Sequence, residues 1–280
     1  MKIDKTLTPD ALKPKLDRLW ELSAAKIQAI ERDYDDSAGS PVLTVDGRYT
    51  SRGWTEWTQG FEFGSKLLQF DATGDADLLD RARRDIVKQM APHLTHFGVH
   101  DHGFNNVSTY GNLRRLAREG RVDASDWERE FYDLAIKCSG AVQARRWTAL
   151  DKTEGYIYSF NGPHSLFADT IRSCRALALA HRLGHVLLDE QDARVSLLER
   201  CLAHAATTAK YNVYYGEGRD RYDVRGRVAH ESIFNVNSRS YRCPSTQQGY
   251  SAFSTWTRGL AWVMCGFAEQ LEFVGATADR

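Results

Sequence analysis

Two aspartates occupy positions from which a carboxyl group could exchange protons with a substrate. Asp101 lies in the sequence His-Asp-His-Gly-Phe at 100–104, just before a predicted helix, where free backbone amides favour a carboxylate. Asp169 lies at the start of a later predicted helix among largely apolar residues, so we expect burial to raise its pKa and leave it able to donate a proton near neutral pH. For both residues the alternative is a purely structural role at a helix N-terminus.

A metal site is a weaker interpretation of the segment around Asp101. His100 and His102 alternate along it, but no third ligand is evident nearby. No motif for a nucleotide or another cofactor stands out in the rest of the chain. We therefore expect no metal and no cofactor, and an activity that a chelator leaves unchanged.

An arginine close to tryptophans forms a third candidate group. Gln248 is followed by Trp-Thr-Arg-Gly-Leu-Ala-Trp at 256–262. Arg258 and Trp262 are four residues apart, so they share one helix face. A guanidinium fork and flat aromatic faces suit a sugar that carries a carboxylate. The alternative is a surface arginine stacked on a packing tryptophan.

Two further residues complete the set of candidates. Trp57 opens a predicted helix, and His204 lies among alanines toward the loop end of another. Each also has a structural interpretation, because a tryptophan in this position often packs and a lone histidine among alanines is often a buried, hydrogen-bonded residue.

Apolar residues with a 3.6-residue period predict eight helices that must position these groups. Their approximate bounds are 12–30, 59–70, 78–90, 106–118, 127–142, 166–183, 195–209 and 256–271. Short turns follow the second, fourth and sixth helices, with Gly74, Gly120 and Gly184 as expected C-caps and Asp75 and Ser125 as expected N-caps. Mostly longer connections follow the first, third, fifth and seventh.

Stacked helix hairpins would bring all the long connections to one end, as in a helical toroid. An α-solenoid is the alternative. Strand patterns are limited to 43–45 and 232–236, with no βαβ alternation. All the candidate residues fall at the end that the long connections define. Two acids, an arginine, a histidine and tryptophans at one mouth indicate a carbohydrate site.

The composition excludes several other classes of protein. The 280 residues hold 37 Lys and Arg against 37 Asp and Glu, which argues against binding to nucleic acid or a membrane by bulk charge. No apolar run approaches the roughly 20 residues that span a bilayer. The five cysteines are widely spaced and include no CxxC pair, so we expect reduced thiols. With no signal peptide visible, the expected compartment is the cytoplasm.

Six segments resemble, in order and approximate spacing, the unsaturated glucuronyl hydrolases of glycoside hydrolase family 88. The resemblance covers about residues 50–275. The segments are Trp-Thr-Gln-Gly-Phe at 57–61, His-Asp-His-Gly-Phe at 100–104, Phe-Ala-Asp at 167–169, Ala-His-Ala-Ala-Thr-Thr at 203–208, Gln-Gly-Tyr at 248–250 and Trp-Thr-Arg-Gly-Leu-Ala-Trp at 256–262. The second and the last of them are fairly specific.

The resemblance implies an all-α (α/α)6 barrel that removes a 4,5-unsaturated uronic acid from the non-reducing end of oligosaccharides left by polysaccharide lyases. It implies hydration of the vinyl ether, in which Asp169 protonates C4 and activates the water that adds to C5, after which the hemiketal opens. Asp101 would be a supporting carboxylate that helps keep Asp169 protonated. The uronate would be bound by Trp57, His204, Gln248, Arg258 and Trp262.

Three features depart from the family pattern. Phe160 lies in a segment where the family commonly has a tryptophan, and we expect it to take over the stacking role. The loop between His204 and Gln248 is longer than usual, so the rim of the site is expected to differ. Leu260 stands where glutamine is common.

The number of helices falls short of the twelve in a six-pair barrel. We expect a single toroidal catalytic domain over 1–280 with about eight helices, lacking the C-terminal pairs and left with unpaired apolar flanks on the first, second, seventh and eighth helices. A homo-oligomer through this open seam is one expected outcome. The functional alternatives are an unsaturated rhamnogalacturonyl hydrolase, which the Asp101 motif disfavours, and a non-catalytic carbohydrate-binding toroid.

Overall fold

Helices dominate the computed structural model, which describes residues 4–53 and 56–278. The α-helices are α1 (Pro9–Asp33), α2 (Gln59–Thr73), α3 (Ala76–Gln89), α4 (Ala91–Leu94), α5 (Asn112–Arg118), α6 (Asp126–Arg145), α7 (Thr170–Ser173), α8 (Arg175–Arg182), α9 (Leu197–Tyr211) and α10 (Thr257–Ala278). A π-helix, Gly103–Gly111, runs directly into α5. In the part of the chain described, no helix is long and apolar enough to cross a membrane.

Short antiparallel strands decorate the connections between helices. They are β1 (Leu43–Val45), β2 (Arg48–Thr50), β3 (Trp147–Ala149), β4 (Gly155–Ile157), β5 (Ser165–Phe167), β6 (Leu187–Leu188), β7 (Arg194–Val195), β8 (Glu231–Phe234) and β9 (Tyr241–Ser245). They pair as β1–β2, β3–β4, β6–β7 and a three-stranded sheet in the order β5–β8–β9. The expected ribbons at 43–45 and 232–236 are therefore confirmed, while most of the short strands were not predicted.

The helices form an inner and an outer layer. The inner layer consists of α2, the π-helix with α5, α7 with α8, and α10, and each contacts the next one along the chain. The outer helices α3, α6 and α9 pack against this layer, and α1 packs on α2. Chain direction then places the four long connections, 34–58, 90–102, 146–169 and 212–256, at one end.

Local capping explains where several helices begin and end. The side chain of Ser125 accepts a hydrogen bond from the backbone of Glu128 and the Glu128 side chain bonds back, which is a complete capping box for α6. Asp75 caps α3 through the Leu78 amide. Gly74 ends α2 with a φ of 77°, a left-handed conformation that glycine adopts without steric penalty. The predicted caps Ser125, Asp75 and Gly74 are confirmed, while Gly120 and Gly184 lie one residue beyond the last capping residues of α5 and α8, with left-handed φ angles of 68° and 72°.

Two of the eight predicted helices differ from the structure. The predicted helix at 106–118 begins earlier, and its first half is a π-helix. The predicted helix at 166–183 does not begin at Leu166, because this residue lies in β5, which pairs with β8. Asp169 is thus the residue that precedes α7, rather than a residue within its first turn. The β5–β8 pairing overrides the apolar periodicity of this segment, a long-range effect invisible in the local pattern.

Glycines allow the inner helices to approach closely at the end that carries the long connections. A Cβ on Gly60 would lie 2.3 Å from the Cα of Asn105, and one on Gly103 would lie 2.4 Å from the Cα of Ser173. The Gly60 amide donates a 2.9 Å hydrogen bond to the Asn105 side chain. These contacts lock α2, the π-helix and α7 together immediately below the candidate residues.

A buried charge cluster joins α1, α2 and α3. The Lys66 ammonium lies 2.6 Å from Glu31 and 2.8 Å from Asp85. Nearby, Glu62 accepts a 3.3 Å hydrogen bond from Ser40. Burial and then the negative charges of Asp36 and Asp85 raise the pKa of Glu62 to about 7. The cluster therefore holds a carboxyl group that exchanges its proton near neutral pH.

Apolar side chains remain exposed along the first and last helices. On α1 these are Leu16, Leu19 and Leu22, and on α10 they include Met264 and Leu271, the latter 72% exposed. Exposed leucines also occur on α2 and α9, at Leu68 and Leu202. Exposed apolar side chains also occur on α6, at Trp127 and Leu134, so the unpaired flanks of these four helices stay a prediction.

Candidate active site

A cavity of about 390 Å³ opens at the end of the molecule where the long connections lie. Every predicted site residue except His204 lines it, which brings together Trp57, Asp101, Phe160, Asp169, Gln248, Arg258 and Trp262. These residues come from five separate stretches of the chain, so the shared end of the inner helices explains their convergence. The volume suits a ligand the size of one or two sugar rings.

His100 bridges the two aspartates at the base of the cavity. Its Nε2 donates a 3.3 Å hydrogen bond to Oδ1 of Asp169 and lies 3.7 Å from Oδ1 of Asp101. The imidazole is almost fully buried, and both carboxylates are largely so. The imidazole thus donates a hydrogen bond to Asp169 and lies close to Asp101, in a site that excludes most water.

The pKa values of the two aspartates are shifted in opposite directions. Burial raises the pKa of Asp101, helped by the negative charge of Asp169. Burial also acts to raise the pKa of Asp169, but the hydrogen bond from His100 and the positive charges of His100, His230 and Arg258 outweigh it and lower that pKa. Burial opposes protonation of His100, yet its two carboxylate neighbours prevail and raise its pKa.

The expected raised pKa of Asp169 is therefore wrong. The sequence shows the apolar residues around Asp169, and from them we expected desolvation to dominate. It does not show that His100 donates a hydrogen bond to that carboxylate. In this site Asp101, not Asp169, is the acid whose pKa is raised.

The two histidines that flank Asp101 have different tasks. His100 faces the cavity, and its backbone carbonyl accepts a 3.0 Å hydrogen bond from Gln143. The His102 ring turns inward, where Nδ1 accepts a 3.2 Å bond from Asn106 and Nε2 donates a 3.1 Å bond to the carbonyl of His96. Burial lowers the pKa of His102 to about 3, so it stays neutral. His102 therefore fixes the loop that presents His100 and Asp101.

Arg258 is held in place on the opposite wall. Its guanidinium lies 4.9 Å from the ring centre of Trp256 and 5.9 Å from that of Trp57, and it donates a hydrogen bond to the side chain of Gln248. Trp262 packs against Phe104 with ring centres 4.9 Å apart. The result is a fixed positive group beside flat apolar surfaces.

Phe160 lies over the bridging histidine. Its ring is 51% exposed and stacks on His100 at 6.0 Å with an interplanar angle of 22°. Phe167, at the end of β5, meets both rings edge-on. The Arg146 guanidinium bonds the carbonyls of Tyr158 and Ser159, which holds the segment that carries Phe160. An exposed aromatic ring in this position can stack on a sugar.

The structure does not bring His204 to the cavity. The His204 ring is fully buried beneath β4, where Nδ1 accepts a 3.1 Å hydrogen bond from the Ile157 amide and Nε2 lies 3.3 Å from the Thr208 hydroxyl. Burial lowers its pKa to about 3. The structural interpretation of this histidine, as a buried hydrogen-bonded residue, agrees with these contacts.

His230 is a histidine near Asp169 that the sequence did not single out. Its ring lies between Phe167 and Trp256, with ring centres 4.4 Å and 4.3 Å away. Nδ1 accepts a 3.0 Å bond from the Gln247 amide, so the proton of the neutral ring sits on Nε2. Among the described residues, that Nε2 has no hydrogen-bond partner. Only the β5–β8 pairing places His230 here, so no local pattern could have identified it.

The first hairpin supplies further residues that sequence reasoning missed. Val42 and Arg52 flank β1 and β2 and line the cavity mouth. Glu56 lines it too, and burial raises its pKa, opposed by the charge of Arg52. The long first connection was expected to reach the site, but nothing in its sequence distinguished these side chains.

Comparison with known proteins finds similarity at the level of structure. No protein-family model matches the chain, and no curated protein matches it by sequence. A solved unsaturated glucuronyl hydrolase specific for heparin is similar with a TM-score of 0.70 and 20% identity over 92% of this chain and 62% of its own. The unsaturated glucuronyl hydrolase of Streptococcus agalactiae gives 0.69 and 20%, over 93% and 58%.

A third similar structure is the unsaturated glucuronyl hydrolase of Bacillus sp. GL1, described as responsible for the degradation of glycosaminoglycan. Its TM-score is 0.67 and its identity 20%, over 91% of this chain and 63% of that one. The chain thus has the α/α-toroid fold of these hydrolases, as predicted, and spans about three-fifths of their length. At this identity the likeness establishes the fold.

Proposed function

We propose that this protein is a glycoside hydrolase of the unsaturated glucuronyl hydrolase type. Its substrate is an oligosaccharide, left by a polysaccharide lyase, that carries a 4,5-unsaturated uronic acid at its non-reducing end. The reaction is hydration of the vinyl ether of that sugar, which releases the rest of the oligosaccharide and contributes to the breakdown of acidic polysaccharides.

The single observation that carries this proposal is the His100 bridge between Asp101 and Asp169. It places a proton donor against a buried carboxylate, within a cavity that also presents Arg258 and the exposed ring of Phe160. Proton transfer, recognition of a carboxylate and stacking on a ring are the three tasks that the reaction requires.

The chemistry proceeds through Asp169. Its protonated form donates a proton to C4, and the resulting carboxylate takes a proton from the water that adds to C5. One water is added in total, the acid is restored, and the hemiketal at C5 then opens to release the aglycone. The distance rule that separates retaining from inverting glycosidases does not apply, because no displacement occurs at the anomeric carbon.

Substrate binding favours the protonated form of Asp169. A bound uronate excludes water and adds a negative charge, and both effects raise the pKa of a neighbouring carboxyl group. His100 donates a hydrogen bond to Asp169, and its raised pKa favours the protonated ring as the source of the proton. Transfer becomes favourable once the bound uronate has raised the pKa of Asp169 above that of His100. The proton therefore moves from His100 to Asp169 as the cavity fills. Asp101 then keeps the charge of the group in balance.

The other cavity residues orient the ring. Arg258, held by Gln248, pairs with the uronate carboxylate, while Phe160 and Trp262 provide apolar surface for the ring. Trp57 supports Arg258 from one side.

An absorbance assay tests the function. The 4,5-double bond absorbs in the ultraviolet, and its loss reports turnover of unsaturated disaccharides from chondroitin, hyaluronan, heparin, ulvan and pectin lyases. We expect turnover of at least one acidic substrate and loss of that turnover in Asp169→Asn, with Asp123→Asn on the exposed surface as the matched control. Turnover of the pectin-derived disaccharide alone would instead identify a rhamnogalacturonyl hydrolase. Binding without any turnover would identify a carbohydrate-binding toroid.

A further inference from the structure

A second groove, of about 640 Å³, lies between the inner helices and next to the cavity. Its walls come from α2, the π-helix with α5, and α7 with α8. It adjoins the region of the candidate active site, since Phe104 lines both spaces. From Phe104 the groove runs toward the C-terminal ends of α5 and α8, so a ligand in it would extend away from the candidate active site along the inner helices.

The groove concentrates arginine on a chain that has no net charge. Among the residues that the structure describes, six arginines line it against a single carboxylate, Glu119. They are Arg114, Arg115, Arg118, Arg172, Arg175 and Arg182. We call this space the arginine groove. An excess of one charge in a concave surface focuses the electrostatic potential and attracts ions of the opposite sign.

Some of these arginines are already paired and others are not. Arg115 pairs with Asp71 and Glu119, and Arg172 and Arg175 share Glu269. Arg114 pairs with Asp133. Arg118 and Arg182 are exposed and have no ion-pair partner within residues 4–53 and 56–278. In that part of the chain the groove therefore presents two free guanidinium groups, on two different walls.

The spacing of the cations favours a ligand with several negative groups. Arg115 and Arg118 are three apart on α5 and so are neighbours on one helix face. Arg175 and Arg182 are seven apart on α8, which is two turns or about 10 Å along its axis. Single inorganic anions would use one such group at a time. A chain of regularly spaced carboxylates or sulfates would use several, through charge-assisted hydrogen bonds.

We propose that the arginine groove binds a stretch of acidic oligosaccharide carrying repeated carboxylate or sulfate groups. The identity of this ligand rests on the proposed function, because the same glycans supply the substrate of the adjacent cavity. A nucleic acid is the less favoured polyanion, since the chain lacks the general basic excess that draws such ligands to a surface.

Titration calorimetry with a non-cleavable probe tests the proposal. The probe is a chondroitin sulfate hexasaccharide with a saturated non-reducing end, which the proposed reaction cannot consume. We expect the wild-type protein to bind it and the affinity to fall as salt is raised. Arg118→Gln combined with Arg182→Gln should increase Kd about tenfold or more, because two charge-assisted contacts are lost.

The matched control removes two other exposed arginines, in Arg221→Gln combined with Arg225→Gln. Its Kd should stay within about twofold of the wild-type value. No binding by the wild-type protein, an unchanged Kd in the groove variant, or an equal loss in the control would each overturn the proposal. Equally tight, groove-dependent binding of an RNA oligomer of the same charge would overturn the assignment to a glycan.

The absorbance assay separates this proposal from the function on which it rests. The groove variant should turn over an unsaturated disaccharide at the wild-type rate, because so short a substrate fills only the cavity. If the wild-type protein turns over no unsaturated sugar but binds the hexasaccharide through the groove, the proposed function fails and the groove stands. Turnover without groove-dependent binding would support the proposed function and overturn the groove as a glycan site.

Discussion

His100, Asp101 and Asp169 share their protons as one unit. The imidazole lies between two carboxylates, and the three pKa values are displaced in directions that only their mutual contacts explain. Such coupled groups titrate together, so the charge of each depends on the other two. Removal of the central residue should therefore change both acids.

His100→Gln should lower kcat for the unsaturated disaccharide by about 10²-fold or more, because the donor that supplies the proton to Asp169 is lost. Two carboxylates without the positive charge between them repel each other, so the pKa of Asp169 should rise. Carboxyl titration by NMR and the pH profile of kcat measure the two effects. His181→Gln, on α8 and away from the cavity, is the control. Unchanged kcat and an unchanged carboxyl titration would contradict the coupling.

Residue types were easier to predict than residue environments. The acids, Arg258, Gln248, Trp57, Trp262 and Phe160 all reach one cavity, as their order along the chain suggested. His204 and His230 are the two histidines whose surroundings the sequence did not predict. Each is a single histidine in an apolar or aromatic stretch. His204 lies in α9 and is covered by β4, whereas His230 is placed by the pairing of β5 with β8, strands only three or four residues long. No local pattern separates the two.

At the scale of elements, close helix contacts position the acids. Gly103 begins the π-helix directly after the segment that carries Asp101, and it touches the backbone that follows Asp169. Any side chain here would push apart the two elements that bring the acids together.

Gly103→Ala should lower the free energy of unfolding by about 1–3 kcal/mol, because the new Cβ would meet the backbone of Arg172 and Ser173, which cannot move aside cheaply. Gly275→Ala is the matched control. Its Cβ would meet nothing within 4 Å in the last turns of α10, so the loss of glycine flexibility should leave stability equal or up to about 1 kcal/mol higher. Urea unfolding of both variants provides the measurement. Equal effects of the two substitutions would refute the steric explanation.

Glu62→Gln should stabilise the protein above neutral pH. The folded-state pKa of about 7 lies above the ordinary glutamate value of 4.5, so the folded protein keeps a proton that the unfolded chain has released. Stability is therefore lost as pH rises from about 4.5 to 7. A neutral amide removes this loss and should add about 1–3 kcal/mol at pH 8, with little change at about pH 4.5.

Thermal unfolding of Glu62→Gln at both pH values checks this prediction. Glu130→Gln, on the exposed surface of α6, is the control and should show no such pH dependence. A variant less stable than the wild type at pH 8 would mean that the Glu62 carboxylate contributes a favourable ion pair with Lys66.

Helix periodicity predicted six of the helices well because each buries one continuous face. It failed at Asp169, where a strand interrupts the apolar run, and at the π-helix, whose turns are wider than the template assumes. Both failures lie beside the candidate site. Beside the site, the strand and the π-helix replace a regular α-helix and position the side chains that line the cavity.

Across the whole molecule, buried neutral histidines should make the fold sensitive to acid. Burial lowers the pKa of His93 to about 4 and those of His102 and His204 to about 3. The unfolded chain binds protons at these groups below about pH 6.5, so stability falls as pH falls through that range. Asp101, Glu62 and His100, whose pKa values are raised, act in the opposite direction. Each of the three buried neutral histidines contributes up to about 1.4 kcal/mol per pH unit, and together these three prevail.

The free energy of unfolding should be lower at pH 5 than at pH 7 by about 2 kcal/mol or more. Urea titrations at the two pH values measure the difference, and potentiometry should show net proton uptake on unfolding at pH 5. A stability that is equal or higher at pH 5 would show that these rings are not neutral in the folded protein.

The overall architecture followed from sequence more readily than its surface did. Alternating short and long connections predicted helix hairpins with the long connections at one end, and the structure has that arrangement. The arginine groove was not predicted, because its residues come from helices that look ordinary when each is taken alone. A chain of zero net charge still places two unpaired arginines, Arg118 and Arg182, in one groove of the described structure.

The π-helix from Gly103 to Gly111 determines how the segment that carries Asp101 is rotated relative to α5. Its wider turns accommodate an additional residue compared with an α-helix, and α5 continues from it without a break. A chain one residue shorter here could still reach α5 as an ordinary α-helix. Everything before it would then be rotated by about 100°, and Asp101 would turn away from the cavity. The additional residue therefore lets Asp101 face the cavity while the apolar face of α5 stays directed into the core.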